Sequence, residues 1–160
     1  MNYRIGQGLD FHKLVKEETF VIGGVTIPND KGILGHSDGD LVIHSIVDAL
    51  LGALAMGDIG SYFPSNDKKW KDMDSKYFLK HVMGLVNKKN YNISNLDCTI
   101  ILQKPHINQF IDKIRLNLSN LLDISIDNIS IKATTTDKLG FIGKGEGVGC
   151  IAICLLYKDK

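Results

Sequence analysis

Three short clusters in this chain carry residue types that do chemistry. Asp10-Phe11-His12 sets a carboxylate and an imidazole two residues apart, so both point to the same side of an extended chain and suit two ligands of one small cation. His36-Ser37-Asp38-Gly39-Asp40 runs into an apolar segment, Leu41 to Met56, in which His44 and Asp48 follow Asp40 at four-residue steps. Adding His44 to Asp10 and His12 gives a mixed nitrogen and oxygen set that fits zinc, and three protein ligands leave a fourth position for water or substrate, as catalytic zinc sites do. With His36 as a fourth ligand the same set would instead be a closed, structural site. The third cluster, Ala133-Thr134-Thr135-Thr136-Asp137-Lys138-Leu139-Gly140-Phe141, offers three hydroxyls, a run of backbone amides and one carboxylate, which a diphosphate with its own Mg²⁺ would require. Its plainer reading is a threonine-rich strand edge. Gly143-Lys144-Gly145-Glu146-Gly147 lacks the Gly-Lys-Ser/Thr ending of a P-loop and does not open a helix, which excludes a nucleotide triphosphatase of that kind.

Those clusters need elements to carry them. A helix over Leu41 to Met56 would stack Asp40, His44 and Asp48 along one stripe, with Asp40 capping the first turn and accepting from His44, while Val42, Ile43, Ile46 and Leu50 cover other faces. Tyr3 to Phe11 reads as a strand running into a turn near Asp10. Phe20 to Ile27, broken by Gly23-Gly24, reads as a second strand or hairpin, closed by a loop at Pro28-Asn29-Asp30 and Gly32. A turn-rich stretch from Gly57 to Asp67 precedes a second helix over Ser75 to Lys89. Strand Asp97 to Gln103, helix Ile107 to Leu122 and strands Ile126 to Thr135 and Val148 to Tyr157 complete the order. Helices between strands, with hairpins at each end, predict an α+β two-layer sandwich: a mixed four- to five-stranded sheet with helices packed on one face, in one domain over residues 1–160.

Composition narrows the function class. With 19 basic and 18 acidic residues the net charge is +1, and the short lysine clusters at Lys68-Lys69, Lys88-Lys89 and Lys158 to Lys160 read as solvated faces, so no nucleic-acid partner is expected. Cys98, Cys150 and Cys154 are odd in number and lie in apolar runs without a Cys-x-x-Cys spacing, which predicts buried thiols in a reducing compartment. No secretory signal is evident, and Leu41 to Met56 is too short and too polar to span a bilayer, so the chain is expected to be soluble with no membrane partner.

Ser37-Asp38-Gly39-Asp40, Asp48-Ala49-Leu50-Leu51-Gly52-Ala53, Gly57-Asp58-Ile59-Gly60 and Ala133-Thr134-Thr135-Thr136 with Lys138-Leu139-Gly140-Phe141 closely resemble the 2-C-methyl-D-erythritol 2,4-cyclodiphosphate synthase family. The likeness runs nearly end to end, from Asp10-x-His12 to Gly145-Glu146-Gly147. It implies a homotrimeric lyase of non-mevalonate isoprenoid synthesis that converts 4-diphosphocytidyl-2-C-methyl-D-erythritol 2-phosphate into the cyclic diphosphate and CMP. By the same resemblance Asp10, His12 and His44 hold one zinc per subunit, and Asp137 helps to hold Mg²⁺ or Mn²⁺ with the substrate diphosphate. His36 and Thr135 would stabilise the transition state, His36 and Ser37 would touch the methylerythritol phosphate, and Asp58, Ile59, Gly60, Phe63 and Asp67 match substrate-contacting positions. Leu102, Pro105, His106, Ile107, Asn108 and Ala133 would line the cytidine side, Thr134 to Asp137 would hold the phosphates and a second metal, and Phe141 and Lys144 match further substrate-contacting positions, Lys144 near the trimer's central channel. Four positions depart from the family's common residues: Asp137 stands for Glu, Lys144 for Arg, Ser65 for Asp and His106 for Lys.

The resemblance also implies active sites shared between subunits. A sequence motive for assembly is the first helix, apolar almost all round, with the apolar final strand, more than a two-layer subunit would cover. It places the protein in the cytoplasm of a bacterium, or in plastid stroma or apicoplast where a transit segment has been removed from a eukaryotic precursor. Two other readings fit the residues: a trimeric structural-zinc or small-ligand-binding protein without catalysis, and a zinc-dependent phosphohydrolase.

Overall fold

The computed structural model describes residues 2–159; Met1 and Lys160, the latter the end of the C-terminal lysine cluster, lie outside the described residues. Strand β1 (Asn2–Lys16) is longer than its alternating segment predicts because it has two partners: β7 (Gly147–Lys158) along most of its length, then β4 (Lys31–Leu34). The sheet order is β4-β1-β7-β5-β6, with β5 (Asn92–Ile101) parallel to β6 (Ile129–Thr134) and every other pairing antiparallel. Helix α4 (Ile111–Leu122) makes the crossover between the two parallel strands, as parallel pairing demands. Helices α1 (Leu41–Ala53) and α3 (Ser75–Lys88) complete the helical layer on one face, so the expected α+β two-layer sandwich is the one observed.

Helix α1 sits unusually tightly on β1. A Cβ at Gly6 would lie 1.8 Å from the carbonyl oxygen of Ala49, and one at Gly8 would lie 1.9 Å from that of Ser45, so the helix backbone occupies the space two side chains would fill. Gly6, Gly8, Asp10 and His12 share the helix-facing side of β1, and the residues between them face away. Leu41, Ile43, Ile46 and Leu50 are all fully buried. Helix α1 is therefore covered within its own subunit by β1, β7 and α3. The uncovered apolar surface is instead the other face of the sheet, where Ile5 is 72%, Leu9 51% and Phe11 46% exposed.

Several boundaries differ from the sequence reading. The stretch after Pro28, read as loop, contains β4; the Gly23-Gly24 segment is a separate hairpin of β2 (Val21–Ile22) and β3 (Val25–Thr26). Helix α1 ends at Ala53 rather than Met56, because Ala55 and Gly57 take positive φ. Strand β5 starts at Asn92, five residues before the apolar run, by pairing Asn92 with Tyr157 of β7. The short helix α2 (Ile59–Tyr62) and the turn Lys68–Trp70 lie in a segment that reads as loop.

Asp40 does not join the predicted stripe. It is the N-cap, outside the helix, and its fully buried carboxylate accepts from the amides of Gly23 (2.9 Å), Gly24 (2.5 Å) and Ile43 (3.2 Å), not from the His44 ring. Burial pushes its carboxyl up from the ordinary value, and the three amides oppose that shift. Asp40→Ala would strand those amides, and we expect it to cost on the order of 3 kcal/mol in urea unfolding. Unfolding unchanged from wild type would remove this hub role.

Candidate active site

The Asp10 Oδ2 lies 2.9 Å from His12 Nε2 and 3.0 Å from His44 Nδ1. Asp10 and His12 are neighbours on the helix-facing side of β1, and His44 is in the second turn of α1, brought over the strand by the glycine contact. The three ligand atoms lie within 4.8 Å of one another, the one such group among the described residues. His36 is exposed and contributes no atom to it, so the four-ligand structural set has no support in the geometry.

The donor set demands a positive charge. His12 Nδ1 lies 2.8 Å from the carbonyl of Leu34, which can only accept, so the ring hydrogen sits on Nδ1. Neutral His12 then turns a lone pair, not a hydrogen, toward the Asp10 carboxylate, and a proton or metal ion must fall between them. The ionisation shifts agree. Burial opposes the charge on both groups, yet the hydrogen bonds and charges of the two histidines hold Asp10 well below the usual carboxylate range, and Asp10 with the Leu34 carbonyl raises His12.

A cavity of about 280 Å³ opens on this cluster, lined by Asp10, His12, His36, Ser37, His44, Asp48, Ile59, Gly60, Phe63, Ser65, Trp70 and Phe78. One end is polar and the other aromatic, with Phe63 against Phe78 at 4.5 Å, the rings tilted by 31°, and edge-on to Trp70 at 5.1 Å. Asp48 accepts from the Ile59 amide at 2.7 Å, which fixes the loop end; burial and the nearby charges of Asp58 and Asp10 push its carboxyl up. Asp48 shares the stripe with His44 as the four-residue step predicts, but the roles of Asp48, Trp70 and Phe78 are not legible in the sequence, since spacing does not show which elements meet.

Not every predicted residue reaches this cavity. Asp58 caps α2 and accepts from the amide (2.8 Å) and hydroxyl (2.7 Å) of Ser61, and Asp67 caps the turn Lys68–Trp70; neither lines the cavity. A second, separate pocket of about 240 Å³ gathers Leu102, Pro105, His106, Ile107, Asn108, Ala133, Thr134 and Thr135. Beside it Thr136, Asp137 and Phe141 border a shallow apolar concavity, and Lys144 caps the short helix α5 (Gly140–Gly143). Asp137, exposed at φ 50°, accepts from the Thr135 hydroxyl at 3.2 Å and belongs to no cluster of three or more His, Cys, Asp or Glu among the described residues.

The two pockets lie level with one another across the sheet. Asp10 pairs with Cys150, Cys150 with Ile100, and Ile100 with Ala133, three strand spacings or roughly 14 Å in all. Cys150 and Ile100 are fully buried beneath the helices, so the packed core closes the direct path between the pockets.

Residues 3–157 match the YgbB family. The chain is 51% identical over 156 residues to 2-C-methyl-D-erythritol 2,4-cyclodiphosphate synthase of Bacillus cereus strain B4264, covering 98% of this chain and 99% of that one. Among solved structures, the CDP complex of IspF from Plasmodium falciparum aligns with a TM-score of 0.88 at 42% identity, over 99% of this chain and 98% of that one. The bifunctional IspDF of Campylobacter jejuni aligns at 0.95 and 34% identity; this chain is covered to 99% and spans 43% of that longer protein. With sequence and fold shared nearly end to end, the chain belongs to the YgbB family, that of the 2-C-methyl-D-erythritol 2,4-cyclodiphosphate synthases.

Proposed function

We propose that the chain cyclises 4-diphosphocytidyl-2-C-methyl-D-erythritol 2-phosphate to 2-C-methyl-D-erythritol 2,4-cyclodiphosphate, releasing CMP. The observation that carries this is the trio Asp10, His12 and His44, its lone pairs converging at the wall of a cavity with room for a small phosphorylated polyol. The substrate's 2-phosphate is itself the nucleophile on the β-phosphorus and CMP is the leaving group, so the protein needs cations, donors and a folded substrate pose rather than a serine or cysteine. A zinc ion in the trio supplies Lewis-acid polarisation of a phosphate oxygen. Ser37 and His36 donate to the methylerythritol phosphate end, and Ile59, Gly60 and Phe63 exclude water from it. Pro105 to Asn108 with Ala133 receive the cytidine, and Thr134 to Asp137 receive the phosphates, where Asp137 is the protein's carboxylate toward Mg²⁺ or Mn²⁺.

The buried path between the pockets supports a site completed by a second copy, with the metal half of one subunit facing the cytidine half of the next in a homotrimer. The surface that a ring would bury is the open sheet face with Ile5, Leu9 and Phe11, not helix α1. A product assay on the diphosphocytidyl substrate with zinc and Mg²⁺ tests the function. CMP with a cyclic diphosphate and no inorganic phosphate is expected; released inorganic phosphate would make the protein a phosphohydrolase.

Zinc uptake should depend on pH with a definite sign. Zinc needs neutral His12, whose value is raised, so the apparent affinity should fall about tenfold per pH unit below that value. Without metal the sign reverses. The raised His12 contributes stability that is full below its ordinary 6.5 and is lost as pH rises through the folded value. The lowered Asp10 contributes above its ordinary 3.8 and is lost as pH falls. Chelator competition and urea unfolding from pH 5 to 9 should show the opposed trends; flat zinc affinity would remove His12 from the ligand set.

A further inference from the structure

One hydrogen-bonded chain behind the metal trio runs through Ser75 and Asp38, neither of which lines either pocket. Ser75, the first residue of α3, is fully buried. Its amide donates to Asp38 Oδ2 at 3.0 Å, and its hydroxyl donates to Asp38 Oδ1 in a short contact. Asp38 also accepts from the amide of Asp40 at 3.2 Å. Its own amide donates to the carbonyl of Met73, and the Asp72 amide donates to the carbonyl of His36, which lays the chain entering α3 against the loop before α1. On the other side of Ser75, His44 Nε2 lies 2.8 Å from Oγ, with Ser37 Oγ second at 3.0 Å.

The direction of this chain is fixed by counting hydrogens. An ionised Asp38 can only accept, and Ser75 has one hydroxyl hydrogen, which it gives to Asp38. The Ser75 oxygen can then only accept from His44, so the hydrogen of the His44 ring is on Nε2 and the lone pair is on Nδ1, facing Asp10. His12 carries its hydrogen on the opposite nitrogen, Nδ1, held by Leu34. Both rings thus present a lone pair to the same point, each set by a different neighbour.

We propose that Asp38 and Ser75 are positioning residues that hold His44 in the tautomer and orientation needed for metal binding, acting as a carboxylate–hydroxyl–imidazole relay from the start of α3. The inference rests on the metal reading of Asp10, His12 and His44. Asp38 does not touch His44 and acts only through Ser75. Removing it frees the Ser75 hydrogen to turn toward Nε2, where it favours the wrong tautomer.

The test uses the full chain and zinc alone. Zinc affinity is measured by chelator competition for wild type, Ser75→Ala, Asp38→Ala, the double variant and Ser75→Thr, and the Hε2 proton of zinc-loaded His44 is followed in ¹⁵N-labelled protein. Each single variant should bind zinc about 10- to 100-fold more weakly, the usual effect of losing a residue that supports a metal-ligating histidine. The double variant should be no weaker than the weaker single one, because both changes break one chain. Ser75→Thr should recover most of the affinity. The Hε2 proton, downfield and slow to exchange in wild type, should move upfield and exchange quickly in both single variants. If Ser75→Ala fails to fold, Asp38→Ala and Ser75→Thr decide by the same spectrum. Wild-type affinity and an unmoved Hε2 in the variants would overturn the relay and leave the metal reading standing. Weaker binding with an unmoved Hε2 would overturn the relay as well, and a wild type that takes up no zinc would overturn both.

Discussion

His44→Ala should take up no zinc and form no cyclic diphosphate, yet unfold in urea close to the wild-type midpoint. The side chain projects from α1 into the cavity, while the fully buried side chains of the helix, Leu41, Ile43, Ile46 and Leu50, are untouched. Losing one of three ligands should weaken zinc by more than about a hundredfold, beyond the effect of a supporting residue. Without the cation the developing charge at phosphorus has no preorganised partner, and kcat should fall by about a thousandfold or more. His12→Ala should behave alike, since it removes a ring whose hydrogen bonds go to Asp10 and the Leu34 carbonyl. An active, zinc-free His44→Ala protein would dismiss the metal assignment, and an unfolded one would instead favour a structural role.

Mixing two dead proteins should restore activity. His12→Ala in one protein disables the metal half, and Ala133→Trp in the other blocks the second pocket, which within a subunit lies roughly 14 Å away across the sheet. If a site forms where the metal half of one subunit meets the cytidine half of the next, every mixed head-to-tail ring has one junction with both halves intact. Random refolding at equal ratio then makes about three rings in four mixed, and about a quarter of wild-type sites return. Mixed trimers, seen by native mass, with no activity would place a whole site in each subunit.

The metal trio was legible because each part obeys a local rule. Asp10 and His12 alternate on a strand, and His44 follows on a helix whose apolar positions announce it. The same rules failed at Asp40, whose four-residue step to His44 suggests a shared face although a cap residue lies outside the helix and turns to other amides. Ser75 was hidden for a different reason. A serine opening a helix reads as a capping residue, and its meeting with Asp38 and His44 depends on how α3 returns to the loop before α1, which spacing does not contain. Strand β4 was hidden by Pro28 and Gly32, which signal a turn locally while β1 supplies the pairing. The apolar surface was half placed: the final strand does expose Ile153 on the open sheet face, whereas a helix apolar all round can be buried in its own subunit, as α1 is.

The two glycines under α1 have a consequence for anyone moving this centre to another scaffold. The separation between Asp10 and His44 is set by backbone lying on backbone at Gly6 and Gly8, with no side chain between to be re-optimised. A graft carrying only the ligands onto a strand and helix kept apart by ordinary side chains would hold the imidazole too far from the carboxylate. The transferable unit is therefore the strand Gly-x-Gly-x-Asp-x-His together with the helix that rests on it, and the glycines belong to the candidate metal site as much as Asp10, His12 and His44 do.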